Sequence, residues 1–178
     1  PLWGCWVVAK SDVWAVGGDA FDPEGQPVIV HWDGTAWEAQ ALPVLDRPAS
    51  ALFKVWAAAA DDVWAVGDAG VILHHDGAAW AQVSSGTGND LISLWGRGPD
   101  DVLAVGGRSI GTLARWDGSM WTTQDIGEVA GINGVWMHAS GDAAIAGNIG
   151  ALGVVRSPGF ELEREDADAG LQVLHGVL

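Results

Sequence analysis

Short apolar runs, each stopped by Asp, Gly or the pair Asp-Gly, follow one another along the whole chain, and no stretch carries the 3.6-residue apolar period of an amphipathic helix. Residues 51–85 show the unit. "ALFKVWAAAA" (51–60) and "DDVWAVGDAG" (61–70) are two apolar runs, "VILHHDG" (71–77) is a third and "AAWAQVSS" (78–85) a fourth. β-Branched and aromatic residues bounded by turn formers predict four consecutive strands. Asp33-Gly34, Asp76-Gly77 and Asp117-Gly118 separate the third and fourth runs, and a tryptophan follows three residues after each Gly, at Trp37, Trp80 and Trp121. Asp-Gly between apolar runs predicts a hairpin with a type I′ turn, whose centre needs positive φ. A fourth copy, "RSPGF", puts Phe160 in the tryptophan's place.

The unit recurs. "VWAAAADDVWAVG" at 55–67 is matched by "CWVVAKSDVWAVG" at 5–17, "LWGRGPDDVLAVG" at 94–106 and "VWMHASGDAAIAG" at 135–147. Its leading tryptophans, Trp6, Trp56, Trp95 and Trp136, stand 50, 39 and 41 residues apart, and Asp12, Asp62, Asp101 and Asp142 follow six residues after them. Four short strands every ~40 residues, joined by tight turns, predict an all-β propeller of four-stranded antiparallel blades. The spacing gives about four blades in a single domain over 1–178, with repeats near 1–50, 51–90, 91–131 and 132–170. "LQVLHGVL" (171–178) aligns with "ALFKVW" and "GINGVW", as the start of a further repeat or a closing strand. A chain that opens at Pro1 inside a repeat is expected to be a processed or excised piece. The expectation is a part of a longer propeller, or a homodimer joining two four-blade halves into one ring, with a lone four-blade ring as the alternative.

"HWDGTAW", "HHDGAAW" and "RWDGSMW" resemble shortened relatives of the Asp-box of sialidase-like and sortilin-like propellers. The combined pattern is similar to the tryptophan-rich propeller repeats of bacterial secreted proteins. That resemblance implies a propeller fold and an extracellular, periplasmic or cell-surface location. It does not carry sialidase chemistry, because that family's site resembles a Tyr nucleophile with an arginine cluster and this chain has no Tyr.

In a four-stranded meander the first–second and third–fourth turns share one face of the disc. The recurrent aspartates fall there, and Asp bonding its own backbone predicts turn formers. The opposite face collects loops of unequal length, including "GDAFDPEGQP" (18–27), "GRSIG" (107–111) and "EREDADAG" (163–170). Unequal loops on a repeated scaffold are where function concentrates.

Charge narrows the partners. Asp and Glu number 23 against 8 Lys and Arg, a formal net charge of −15. Such a field repels phosphate backbones and anionic lipid headgroups, so nucleic acid and membrane surfaces are not expected partners. No apolar stretch reaches the length of a membrane span, and no charged segment followed by an apolar one marks a signal peptide. Acidic loop residues Asp19, Asp22, Glu24, Asp46, Asp90, Asp125, Glu128, Asp166 and Asp168, with Phe21 as apolar anchor and Arg108 as directional donor, form the expected binding rim. The predicted function is a non-enzymatic module presenting this face to a protein or peptide, with a lectin-like glycan binder as the alternative and a propeller hydrolase or lyase third.

Other motifs have simpler readings. "GRSIG" matches the G-x-S-x-G elbow, but in a β-hairpin rather than a strand-to-helix turn, so Ser109 reads as a loop hydroxyl. Asp19, Asp22 and Glu24 offer oxygens for calcium without the full ligating loop, and no cofactor is expected. His31, His74 and Arg115 occupy matching third-run positions and read as inter-blade packing, and His74-His75 diverge too far to share a metal. Trp6, Trp14, Trp37, Trp56, Trp64, Trp80, Trp95, Trp121 and Trp136 read as blade core, and Trp3, outside the repeat, as the exposed one. Cys5, the single cysteine, reads as a buried small hydrophobe.

Overall fold

Period-2 runs with Trp, Val and Ala on both sides give strands whose two faces are both apolar, and such strands are stable only between neighbouring sheets. The computed structural model describes residues 1–22, 24–127, 131–148 and 150–166. Blade 1 comprises β1 (Leu2–Ala9), β2 (Asp12–Gly17), β3 (Val28–Trp32) and β4 (Trp37–Ala39). Blade 2 comprises β5 (Leu52–Ala59), β6 (Asp62–Gly67), β7 (Ile72–His75) and β8 (Trp80–Val83). Blade 3 comprises β9 (Leu91–Gly98), β10 (Asp101–Gly106), β11 (Thr112–Trp116) and β12 (Trp121–Asp125). Blade 4 comprises β13 (Ile132–Met137), β14 (Ala143–Gly147), β15 (Ala151–Arg156) and β16 (Glu161–Asp166). Each blade is a consecutive antiparallel meander.

The first strand of each blade is innermost: β1 packs beside β5, β5 beside β9 and β9 beside β13. No comparable contact joins β13 back to β1 among the described residues, so the four blades form an open arc. Between blades 1 and 2, Trp14, Val16 and Ile29 bury against Leu52, Val55, Val63, Leu73 and Trp80. Blades 2 and 3 repeat the contact with Trp56, Trp64, Val66 and Ile72 against Leu91, Leu94, Val102 and Trp121. The Trp14–Trp80 and Trp64–Trp121 ring pairs are both edge-on at 5.4 Å. Burying each such Val or Leu contributes about 1.5–3 kcal/mol.

Three expectations change. Trp37 and Cys5 are exposed, not core. They occupy inter-blade positions, and among the described residues no other blade packs against the face of blade 1 that carries them. The hairpins are not two-residue type I′ turns either. Trp32 pairs with Trp37, His75 with Trp80 and Trp116 with Trp121, leaving four-residue loops. In each, the Asp carboxylate closes the loop by accepting two backbone N–H groups, at 2.7 and 2.9 Å for Asp33. The glycine keeps its positive φ, +98° at Gly34, and a Cβ there would meet the Ser11 side chain at 2.7 Å. The loop therefore rests on the neighbouring first–second turn, on one face of the disc.

The third change concerns Asp12, Asp62, Asp101 and Asp142. They do more than form turns, because each carboxylate ties the start of the second strand to the end of the third. Asp12 meets His31 and Asp62 meets His74, both at 2.8 Å. Asp101 meets Arg115 at 2.8 Å and Asp142 meets Arg156 at 3.1 Å. His31 stacks on Trp14 at 4.1 Å and His74 on Trp64 at 4.0 Å, so these histidines brace their own blade rather than only the gap between blades. Arg115 also donates to Ser157 Oγ of blade 4 at 3.1 Å. His75 diverges from His74 as expected, packing against Trp14 and Trp80, and burial holds its pKa below the ordinary imidazole value.

The hairpin carboxylates make the fold sensitive to acid. The Thr35 hydroxyl, with the Ala36 and Thr35 N–H groups, lowers the Asp33 pKa from 3.8 to about 2. Backbone N–H groups of Ala79 and Ala78 lower Asp76, and the Met120 N–H and Ser119 hydroxyl lower Asp117. A carboxyl whose folded pKa is depressed stabilises the fold above its unfolded pKa and loses that contribution as pH falls through the folded one. Stability is therefore expected to drop as pH falls from about 4 toward about 2. Asn keeps the acceptor but does not titrate, so the triple variant Asp33→Asn, Asp76→Asn, Asp117→Asn should show a flatter fall of denaturation midpoint across that window. Parallel curves for the two proteins would contradict the assignment.

Candidate functional site: the mouth of the propeller hub

A register shift in the innermost strand of every blade builds the site. Each shift leaves one residue unpaired against the second strand: Trp3 between Leu2 and Gly4, Phe53 between Leu52 and Lys54, Ile92 between Leu91 and Ser93, and Asn133 between Ile132 and Gly134. A bulge re-aims the side chain it carries. All four line one cavity of about 500 Å³, together with Ala20, Phe21, Lys54, Trp95 and Arg108. Below it the hub is filled by Trp6, which meets Trp95 edge-on at 5.5 Å and Trp56 at 6.2 Å.

The walls are unequal. Trp3 stands 6.3 Å from both Phe21 and Phe53, making an aromatic side beneath blades 1 and 2. Asn133, whose amide donates to Asn148 Oδ1 at 2.7 Å, makes a polar side beneath blade 4. Trp3 is 45% exposed and its indole N–H donates to Gly18 O at 3.1 Å, which fixes the ring against the first long loop. The ionisable residues of the wall are Lys54 and Arg108; Arg108 Nε donates to Asp90 Oδ2 at 2.5 Å. The wall thus carries cations in a chain whose net charge is −15. Such a surface can hold apolar side chains by stacking and fix a carbonyl or carboxylate by hydrogen bonds.

The predicted rim residues divide. Phe21 and Arg108, on loops of blades 1 and 3, come together in this cavity, on the face that bears the unequal loops. Asp19, Asp22 and Glu24 do not converge on a common point for calcium: Asp19 accepts the Phe21 N–H at 3.1 Å and Asp22 the Glu24 N–H at 2.9 Å. Among the described residues no three His, Cys, Asp or Glu side chains gather as metal ligands. Asp90 also accepts the Ala69 N–H at 2.9 Å, and Asp125 the Thr112 hydroxyl at 3.0 Å, so part of the acidic rim is spent holding loops together. Asp166 ends β16, whereas Glu128 and Asp168 lie outside the described residues. Ser109 is an exposed hairpin-loop residue, as its context indicates.

Phe53, Ile92, Asn133 and Lys54 were not singled out by sequence reasoning. A signal existed: the bulge position reads Trp, Phe, Ile, Asn through the four repeats, while the residue before it reads Leu, Leu, Leu, Ile. A position that changes chemistry beside one that does not answers to something other than the scaffold.

Four meander sheets arrayed about a hub with a loop-bearing mouth define a β-propeller. No protein-family profile and no curated protein matches the chain. Among solved structures it is similar to YCF48 bound to D1 peptide, with a TM-score of 0.69 and 17% identity over 99% of this chain and 56% of that one. It is also similar to YCF48 from Cyanidioschyzon merolae, with a TM-score of 0.66 and 14% identity over 96% of this chain and 58% of that one. The chain thus spans less than two thirds of the length of these proteins, and at such identities the likeness is one of fold.

Proposed function

We propose that this chain is a non-enzymatic binding module whose hub mouth takes an extended peptide segment of a protein partner. The observation that carries the reading is the set of four unlike side chains, Trp3, Phe53, Ile92 and Asn133, aimed by bulges into one cavity of about 500 Å³. A peptide laid across it would place apolar side chains against the aromatic wall and its backbone near Asn133 and Lys54. The structural neighbour that holds a D1 peptide is a propeller of the same kind, which adds support. Loop acids Asp19, Asp22 and Glu24 would steer a basic flank of the partner toward the mouth, with a range of ~8–10 Å at physiological ionic strength.

Random-peptide display against the immobilised chain tests the reading. Selected peptides should lose affinity about 30-fold or more in Phe53→Ala or Trp3→Ala, since buried aromatic anchors carry ~2 kcal/mol or more each, with little change in Tm for Trp3→Ala. Asp19→Asn, Asp22→Asn and Glu24→Gln keep the loop acceptors but remove charge, so they should slow association and flatten its salt dependence. Selected peptides that bind both aromatic variants normally would refute the mouth as the site. The exposed face of Trp3 also suits a sugar ring, and a glycan array that yields ligands where peptide display yields none would favour the lectin reading.

A further inference from the structure

The charged residues of the hub mouth are sorted against the composition of the chain. Two of its eight basic residues, Lys54 and Arg108, line the cavity, and among the described residues no Asp or Glu does, although the chain has 23 of them. Lys54 also departs from its repeat. The residue after each bulge is Gly4, Lys54, Ser93 or Gly134, paired with Val16, Val66, Val105 and Ala146 respectively. Close strand packing accounts for the small residues: a Cβ at Gly4 would meet Phe53 O at 2.7 Å and Lys54 Cα at 3.1 Å on the neighbouring strand. The scaffold thus calls for little side chain at this position, and only blade 2 places a long cation there. Ordinary alternation would send Phe53 and Lys54 to opposite faces of their strand, but the bulge brings both to the one cavity.

The two cations differ in what already holds them. The Arg108 side chain is 67% exposed, and its Nε donates to Asp90. Lys54 is half-buried and among the described residues forms no salt bridge. Lys10, the other lysine, is exposed on the turn-bearing face. A half-buried ammonium beside aromatic walls attracts an anion more strongly than one in open water, because the local dielectric is lower. We propose that Lys54 binds a carboxylate of the peptide segment, with an apolar side chain of the same segment seated against Phe53 and Trp3. The ligand class is therefore a peptide carrying a single acidic group adjacent to an aromatic or aliphatic side chain. A run of acids does not fit, since the net charge of −15 repels it. Either an Asp or Glu side chain or a chain terminus supplies the carboxylate, and Arg108, held by Asp90, is a second donor at the rim. The inference rests on the peptide reading of the mouth and adds the chemistry that its occupant must carry.

Two matched pairs of small probes test the proposal by NMR titration, followed at the Trp3 indole N–H. N-acetyl-phenylalanine against its amide presents a terminal carboxylate. N-acetyl-phenylalanyl-glutamic acid α-amide against its glutamine counterpart presents a side-chain carboxylate. In at least one pair the acid should bind about 10-fold or more tightly than its neutral twin, and the pair that shows the preference identifies the source of the carboxylate. Lys54→Met keeps the apolar stem and should abolish the preference without weakening the neutral twin, whereas Lys54→Arg should retain it. Acids and neutral twins that bind the parent chain alike would overturn the proposal. Equal weakening of both members of a pair in Lys54→Met would overturn it as well, by showing that only the lysine stem packs on the ligand. Either result leaves the peptide reading standing, whereas no binding by any of the four probes would count against the mouth as a peptide site and overturn both.

Discussion

Trp64→Ala is expected to lower the unfolding free energy by about 4 kcal/mol, the largest effect of any single substitution considered for this chain. Trp64 is 1% exposed and joins three things at once. Its ring stacks on His74 at 4.0 Å, meets Trp121 of the next blade edge-on at 5.4 Å, and its indole N–H donates to Asp62 at 2.8 Å. Truncation removes the transfer energy of the ring and leaves a cavity between two sheets that cannot collapse onto it. Blade 3 carries Leu103 at the same strand position, so Trp64→Leu should cost less than half as much. Urea denaturation followed by far-UV circular dichroism measures both. A loss below about 1 kcal/mol for the alanine variant would show that inter-blade tryptophans do not hold the disc together.

The second large effect belongs to Asp101. Its carboxylate accepts from Arg97 Nε at 2.6 Å and from Arg115 Nε at 3.0 Å, and the Arg115 side chain is only 11% exposed. Asp101→Ala leaves that guanidinium in a protein interior without its counter-charge and is expected to cost about 3 kcal/mol. Asp62→Ala in blade 2 strands no permanent charge but removes the acceptor of both His74 and the buried Trp64 indole N–H, so the loss there should be smaller, about 2 kcal/mol. The double variant Asp101→Ala, Arg115→Leu should recover most of the deficit, because the stranded charge is gone. Equal losses for the two aspartates, or no recovery in the double variant, would show that the pair acts only as a turn.

Most of the scaffold was legible because repetition averages out local ambiguity. Four copies of "DVWAVG"-like runs fixed strand count, blade size and the sorting of turns to one face and unequal loops to the other. Individual burial was not legible. Trp37 and Trp80 both follow Asp-Gly-x-Ala, and Cys5 and Val55 both precede the leading tryptophan of their repeat; which one is covered depends on whether a blade lies in front of it. The turn was misread for a related reason. Asp-Gly signals a positive φ, but whether two or four residues close the hairpin depends on the strand pairing of Trp32 with Trp37, which local sequence leaves open.

Of the residues that line the hub cavity, Phe21 and Arg108 were singled out from loop position, while Phe53, Ile92 and Asn133 were not. Alternation of side chains along a strand predicts facing only while the register holds, and the shift beside Trp3, Phe53, Ile92 and Asn133 breaks it at one residue per blade. The sequence by itself determined the repeat, the all-β blades and the separation of uniform turns from unequal loops, because those follow from local period and turn chemistry. Only the tertiary structure decided which side chains meet at the hub, which acids accept hydrogen bonds from loop backbone and side chains, and which blade face is uncovered among the described residues, because each depends on how loops and blades pack and not on the local apolar period.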